Sequence, residues 1–513
     1  MTQPLIDALR NPAAYPHSVE AIQVIETHIS WVILTGLYAY KIKKAVNFGF
    51  LDFTGLAARK HFCEEELRLN ARMTPGLYLE VLPITGATTA PQLGGQGEPF
   101  EYALKMKQFP QSDLLAEVQS RGELTAEHID GLATMIAGFH ERTPHVPQEH
   151  PLCSPDAIVA PMRQNFEQIR PLLSDSADLS QLDLLEQWTE ANIQRLQPRL
   201  AARASQGAIR ECHGDLHLGN ATLIEGKPVV FDCIEFNEPF RFIDIAADAA
   251  FVAMDLEDRD LRSLSRRFLA QWLEKTGDYD AVPLMNLYKA YRAMVRAKVT
   301  LFRVAQEQDP VQKAVVLRQY RRYTHLAENY AAIPSRFLAI THGVSGVGKS
   351  HVAMRLVEAL GAVRLRSDVE RKRMAAAAPL DALYSPEASE ATYAHLHTTA
   401  DEILAAGNPV IIDATYLKAG HRDAAATVAE KRGVPFLIID CQAPDGVIAE
   451  WLDQRQRAGE DPSDATLEVV ETQRRTREPL TAAELECSWR VDTHETKSLD
   501  TLISRIRQRL PGF

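Results

Sequence analysis

Phe337-Leu-Ala-Ile-Thr-His-Gly343-Val-Ser-Gly-Val-Gly-Lys349-Ser350 is a short apolar run that opens directly into a glycine loop closed by lysine and serine. The run is too short for a buried helix and is cut off by glycine, so it reads as a parallel strand covered on both faces. The loop fits G-x-x-x-x-G-K-S at every position. In that pattern backbone N–H groups cradle phosphates at the start of a helix. Gly343, Ser345, Gly346, Val347, Gly348 and Lys349 are the candidate cradle; Lys349 would reach the β and γ phosphates and Ser350 would coordinate magnesium.

Downstream the period alternates between strand and helix. A helix is expected over 349–360, a strand at Val363–Arg366, helices to about 406 and a strand at Pro409–Asp413. A helix over 420–432, a strand at Phe436–Asp440 and a last strand at Ser488–Asp492 follow. This alternation predicts a doubly wound α/β domain. Upstream, a helix-rich stretch over 284–331 ends at Ala331-Ala-Ile-Pro334-Ser. Proline disfavours helix in the residue before it, so the domain boundary is placed at 334.

The first 333 residues follow another plan. Trp31–Leu34 and Tyr38–Lys43 read as strands, 56–73 as a helix, and further strands follow. From about 112 onward the pattern is mostly helical. A small β-rich lobe (about 1–110) before a helical lobe (about 111–333) is the order of a bilobal kinase. The helical pattern is broken by His213-Gly-Asp215-Leu-His217-Leu-Gly-Asn220, with Phe231-Asp232 twelve residues beyond Asn220. Phosphoryl transfer needs a carboxylate at the acceptor hydroxyl and oxygen ligands for magnesium on the ATP phosphates. Asp215 fits the first role, and Asn220 and Asp232 fit the second. Lys227–Asp232 reads as a strand that delivers Asp232.

This loop matches the H-G-D-x-H-x-x-N pattern at every defining position, and residues 1 to about 330 resemble the aminoglycoside phosphotransferase-like family, which shares the protein-kinase fold. The resemblance implies a strand lysine on the α and β phosphates, oriented by a helix glutamate. Lys41 and Lys43 lie on one strand face, so spacing does not separate them; Lys41 is preferred. Glu66 lies four residues after Phe62 and three before Leu69, on the inward helix face, and is the preferred partner over Glu65. Met106–Phe109 resembles the hinge that holds adenine, and Asp244 resembles a structural aspartate that steadies the catalytic loop. Arg292 and Arg296, one helical turn apart, are candidates for an anionic acceptor, against salt bridges to the acidic stretch Asp255–Asp260.

Residues 334–513 resemble the P-loop kinases that include polynucleotide kinase, zeta-toxin-like and gluconate-type kinases. The resemblance implies an acidic group at the end of the second strand that takes the acceptor proton. Asp368 fits, with helix N-capping as the alternative, and Arg371 would hold an acceptor phosphate. Asp413 would hold magnesium through water. Arg455 and Arg457, before a polar segment with Gly459 and Pro462, would be lid arginines on the transferring group. The whole arrangement is similar to proteins described as bifunctional aminoglycoside phosphotransferase and ATP-binding protein.

Composition frames these readings. The chain has 513 residues, 46% hydrophobic and 24% charged, enough for several cores. A net charge of -12 argues against a sequence-blind nucleic-acid binder. Six cysteines lack CxxC spacing, and no stretch of about 18 apolar residues could span a bilayer. The expectation is a cytoplasmic ATP- and Mg-dependent enzyme acting on small-molecule hydroxyls. The alternatives are a nucleic-acid end kinase in the second domain, with Arg371, Lys372 and Arg373 on phosphates, or one domain serving as a regulatory switch.

Overall fold

The computed structural model describes residues 2–49, 51–332, 335–375, 383–458 and 465–510. The chain divides into two compact units, one formed by Met1–Asp255 with Tyr291–Thr324 and the other by Leu256–Ala290 with His325–Phe513. These units do not follow the boundary drawn at 334, because the helix Arg262–Thr276 packs within the second unit. Its Ala270 sits in the same apolar core as Phe337, Val357 and Leu360. Residues 333 and 334 themselves lie outside the described residues.

In the first unit, six strands form an antiparallel sheet: β1 Gln23–Glu26, β2 Ser30–Leu34, β3 Tyr38–Lys43, β4 Tyr78–Ala87, β5 Ala90–Leu93 and β6 Glu101–Lys107, in the order β1-β2-β3-β6-β4-β5. Side-chain alternation along β3 sorts its residues by face. Tyr40 and Ile42 enter an apolar cluster with Leu5 and Ile6 of the N-terminal helix Thr2–Ala8 and with Leu9 just after it. Lys41 and Lys43 point to the other face, where the helix Leu56–Ala71 lies. That helix buries Arg59, Cys63, Glu66, Leu69 and Asn70, a stripe at three- and four-residue spacing that is largely polar. Its buried face was therefore readable from spacing but not from hydrophobicity.

The rest of the unit is helical apart from two ribbons. Strands β7 Ile209–Glu211 and β10 Phe242–Asp244 pair antiparallel, as do β8 Ala221–Ile224 and β9 Lys227–Val230. The β8–β9 hairpin turns on Glu225 and Gly226, both with positive φ, the two-residue geometry that matches strand twist. Its register brings the residues just outside it together: the Phe231 N–H donates to the Asn220 carbonyl at 3.0 Å. One tight hairpin thus joins two segments of the predicted site.

In the second unit five parallel strands, β11 Leu338–His342, β12 Val363–Arg366, β13 Val410–Asp413, β14 Phe436–Gln442 and β15 Ser488–Asp492, run in the order β12-β13-β11-β14-β15. The first strand in sequence is central, flanked by the third and fourth, as expected of a doubly wound sheet. All five residues of β11 are buried. The glycine loop leaves its C-terminal end and enters the helix Lys349–Leu360. Gly348 caps that helix at φ 89°, and a Cβ there would stand 3.0 Å from Thr493. At Gly343, with φ 138°, a Cβ would meet the Cys441 carbonyl at 2.9 Å. Both positions need glycine for backbone conformation and for space.

Candidate active sites

In the first unit the loop residues 213–220 are held from beneath by a helix. Asp248, on the helix Ile245–Asp258, accepts the N–H groups of His213 at 3.1 Å and Gly214 at 2.9 Å. Asp255, farther along that helix, accepts the Leu218 N–H at 3.0 Å. The expected role of Asp244 is thereby corrected: Asp244 forms a buried bidentate pair with Arg203, and Asp248 steadies the loop. Burial pushes the His213 imidazole below its usual pKa. Neutral His213 can then donate from Nε2 to the Phe231 carbonyl at 2.9 Å while Nδ1 accepts the Asp215 N–H at 3.2 Å.

On that platform Asp215 receives a hydrogen bond from the Asn220 amide at 3.0 Å, and its carboxylate lies 3.5 Å from His217 Nε2. Burial alone would push the Asp215 carboxyl up, but His217 and Arg296 pull it well below the usual carboxylate range. It is held ionised. Asp232 sits at φ 66° with its side chain 40% exposed, and its N–H donates to the Tyr78 hydroxyl. Its carboxylate reaches Lys41 Nζ at 2.5 Å, and Lys41 also pairs with Glu66 at 2.7 Å.

Lys43 shares Glu66 at 2.7 Å and pairs with Glu235. Burial works against the charge on both lysines, and the surrounding carboxylates overcome it. The same lysines hold the fully buried Glu66 below its usual range, against its own burial. Of the two lysines, only Lys41 lines the cleft, together with Asp215, Asn220, Asp232, Met106 and Phe109. Glu65 instead pairs with Arg68 on the outer face.

Arg292 lies elsewhere. It is buried, donates to the Ala247 and Gly214 carbonyls at 3.0 Å each, and stacks on Phe251. It braces the loop from behind, so the expected acceptor role is corrected; its partners are backbone carbonyls, not the acidic stretch 255–260. Arg296 lies over Tyr323 and does not line the cleft. Among the described residues, His140, Cys212 and Asp248 are grouped closely enough for a metal. Burial keeps the Cys212 thiol protonated, and both Asp248 oxygens already accept loop N–H groups, so the group reads as structural.

In the second unit a cavity of about 1150 Å³ is lined by Ser345, Gly346, Gly348, Lys349, Ser350, Asp368, Arg371, Asp413 and Arg455. Gly343 and Val347 lie beneath the loop, where the Gly343 N–H donates to Thr415 and the Val347 carbonyl accepts the Thr493 hydroxyl. Lys349 Nζ folds back to the Val344 carbonyl at 2.7 Å, and burial pushes its ammonium below the usual range. Asp413 ends β13 opposite Arg366 of β12. Its Oδ2 is buried and accepts no hydrogen bond, with the Arg366 guanidinium at 3.6 Å. An orphaned carboxylate oxygen near Ser350 fits a hard cation.

Asp368 lies inside the helix Ser367–Met374, whose N-cap position is Arg366, so the N-capping alternative does not hold. Its carboxylate accepts from Arg371 at 3.2 Å, and Arg371 stacks on Tyr384. Arg455 lines the cavity; Arg457 does not, being 78% exposed and paired with Asp453, which corrects its expected lid role. The segment with Gly459 and Pro462 lies outside the described residues.

Several participants escaped the sequence reading. Glu235 and Asp248 are lone carboxylates in apolar runs, a pattern that signals a buried partner without saying which. Gln473 accepts the Ser345 N–H at 2.7 Å and donates to the Ser345 hydroxyl at 3.0 Å. Nothing in its local sequence marks it.

Comparison with known proteins agrees with this division of labour. Residues 83–284 match the model of the Phosphotransferase enzyme family, and residues 338–480 match a model described as AAA domain. Uncharacterized proteins of Mycobacterium tuberculosis and Mycobacterium bovis are each 28% identical over 462 residues, covering 88% of this chain and 89% of theirs. Among solved structures, a putative kinase from Chloroflexus aurantiacus is 19% identical over 35% of this chain and 97% of its own, with a TM-score of 0.30. An ethanolamine kinase from Plasmodium vivax is 11% identical over 61% of this chain and 82% of its own, with a TM-score of 0.37. The two family-model matches show a kinase-like domain of the phosphotransferase type over residues 83–284 followed by a P-loop kinase-like domain over residues 338–480.

Proposed function

We propose that the protein is a bifunctional ATP- and magnesium-dependent phosphotransferase in which each unit transfers the γ-phosphoryl of ATP to a hydroxyl of a small molecule. The observation that carries the reading is the convergence in one cleft of Asp215, Asn220, Asp232 and the Glu66-held Lys41. Asp215 accepts the proton of the attacking hydroxyl; its depressed pKa keeps it ionised, and transfer completes as the P–O bond forms. Lys41 pairs with phosphate oxygens, and the Asn220 and Asp232 oxygens hold the metal. Bound ATP and magnesium supply the transferable group and shield its charge.

In the second unit the loop N–H groups and Lys349 hold the phosphates, Ser350 and Asp413 serve the metal, and Asp368 receives the acceptor proton. Arg371 and Arg455 face the same cavity and offset charge on the moving group. The nucleic-acid alternative loses support because Arg373 is bound to Glu370 and to the Glu274 carbonyl, and Arg371 to Asp368. No helix among the described residues is long and apolar enough to cross a membrane.

The test is ATP consumption by the full chain against a metabolite and antibiotic panel, with products identified by mass spectrometry. Asp215→Asn and Lys349→Ala should each remove a different phosphorylated product. Loss of one and the same product in both variants would replace two reactions with a regulated single one. Undiminished turnover in Asp368→Asn would likewise make the second unit a switch.

A further inference from the structure

The first cleft has a volume of about 690 Å³, and its wall is chemically lopsided. At the hinge side stand Met106 and Phe109, suited to adenine. The lining also holds Phe48, Leu51, Phe236, Val299 and Phe302. Val299 and Phe302 are three apart on the helix Met285–Gln306, so they share a face. Arg292, two turns before Val299 on that helix, donates to the Gly214 carbonyl next to Asp215 at 3.0 Å, which sets this apolar stretch of helix on the Asp215 side of the cleft. Phe48 and Val299 are each 40% exposed. Large apolar side chains left open at the mouth of a cleft mark a binding surface more than a folding need.

Charge points the same way. Among the described lining residues the carboxylates are Asp215 and Asp232 alone, one serving as the base and the other bound to Lys41. An acceptor carrying several ammonium groups would find no free counter-charge, and burying it unpaired is costly. For an anionic acceptor the lysines of the lining are Lys41, already bound to Glu66 and Asp232, and Lys107, which adjoins Met106 on the hinge side; Arg292 is spent on backbone carbonyls, and neither it nor Arg296 lines the cleft.

We propose that the hydroxyl acceptor of the first unit is an uncharged alcohol with an apolar body, seated on Phe48, Phe236, Val299 and Phe302, and not a polycationic sugar. This rests on the phosphotransferase reading of that cleft and sharpens it. The reaction forms an O–P bond to the alcohol and breaks the bond between the β,γ-bridging oxygen and the γ-phosphorus; the hydroxyl proton goes to Asp215 and ADP leaves.

The test uses the full chain carrying Lys349→Ala, which silences the second site. Binding of 2-phenylethanol, octanol, glucose, choline and kanamycin to the protein loaded with a non-hydrolysable ATP analogue is measured by calorimetry, and transfer from ATP by mass spectrometry. The expected result is saturable binding and phosphorylation of an apolar alcohol, with the product lost in Asp215→Asn. Val299→Asp should weaken alcohol binding about tenfold or more and leave nucleotide affinity unchanged. Val299 is well exposed, so that variant folds, and Phe48→Asp repeats the test at a second exposed lining residue. Preferred, Asp215-dependent transfer to kanamycin, choline or glucose, or no binding of either apolar alcohol, would overturn the acceptor class while leaving the kinase reading intact. Failure of the nucleotide analogue to bind, or a product that survives Asp215→Asn, would overturn the kinase reading itself.

Discussion

The first cleft closes its charges on one another, whereas the second leaves a carboxylate oxygen open. Lys41, Lys43, Glu66, Glu235 and Asp232 form a continuous chain of ion pairs drawn from a strand, a helix and a loop. The P-loop cavity depends instead on backbone: three glycines, a helix N-terminus and strand ends, with Asp413 Oδ2 unsatisfied. A site built from side chains is stable only as a complete set, because removing one member strands a buried charge. A site built from backbone loses chemistry without losing its frame.

The largest effects are expected on activity. Asp215→Asn should lower the first product about a thousandfold, within the usual range for a general base, with the second untouched. Lys349→Ala should do the reverse, and the two product ratios measured side by side decide whether the sites are independent. The contrast in construction is then tested by Glu66→Ala, which leaves both lysines without their shared carboxylate. It should destabilise the first unit by about 3 kcal/mol or more, read as accelerated hydrogen exchange along β3, while the Lys349-dependent product persists. Unchanged exchange would refute the idea of a mutually dependent set.

A smaller effect belongs to the second unit. His397 Nε2 lies 3.0 Å from the Tyr416 hydroxyl, and burial lowers its pKa from 6.5 to about 4. The neutral ring accepts a hydrogen bond from the Tyr416 hydroxyl. Between these values the unfolded chain binds more protons than the folded one, so stability is full above about pH 6.5 and falls as pH drops toward 4. The loss should be roughly 1–3 kcal/mol, seen in denaturant midpoints, and His397→Gln should flatten it. An equal acid slope in the variant would assign the loss to other groups.

The smallest effect is expected at Gln473. Its amide occupies the Ser345 N–H and hydroxyl that border the phosphate cradle. If phosphate must displace it, Gln473→Ala should tighten nucleotide binding about fivefold, the worth of roughly 1 kcal/mol of hydrogen bonding. Weaker binding in that variant would show that Gln473 shapes the loop for the nucleotide.

The same contrast explains what could be read from sequence. The P-loop, the β12 and β13 strand ends and the H-G-D-x-H-x-x-N loop are contiguous, and their spacing alone places Lys349, Ser350, Asp413, Asp215 and Asn220 in their cavities. Alternation put Lys41 and Lys43 on one face but could not choose between them; the cleft chose, because only Lys41 opens onto it. Glu235, Asp248 and Asp255 act through partners far away in sequence, which spacing does not encode. Arg292 and Arg457 misled because a guanidinium is equally at home on a carbonyl, a surface carboxylate or a substrate, and only tertiary packing decides.

The helix Arg262–Thr276 bears on how this protein could ever be taken apart. It lies within the stretch matched by the phosphotransferase model, yet its Glu274 pairs with Arg364 at 2.5 Å and Arg366 at 2.8 Å, inside the P-loop unit. Arg266 donates to the Glu358 and Ala359 carbonyls at the end of the P-loop helix. A gene cut at the motif boundary would deliver a P-loop fragment with an almost fully buried Arg364 lacking its counter-ion, a loss of about 3–5 kcal/mol. The two halves are therefore not interchangeable cassettes: the P-loop unit borrows a piece of scaffold encoded within the stretch matched by the phosphotransferase model, and a lineage that discarded that stretch would have to reinvent the piece.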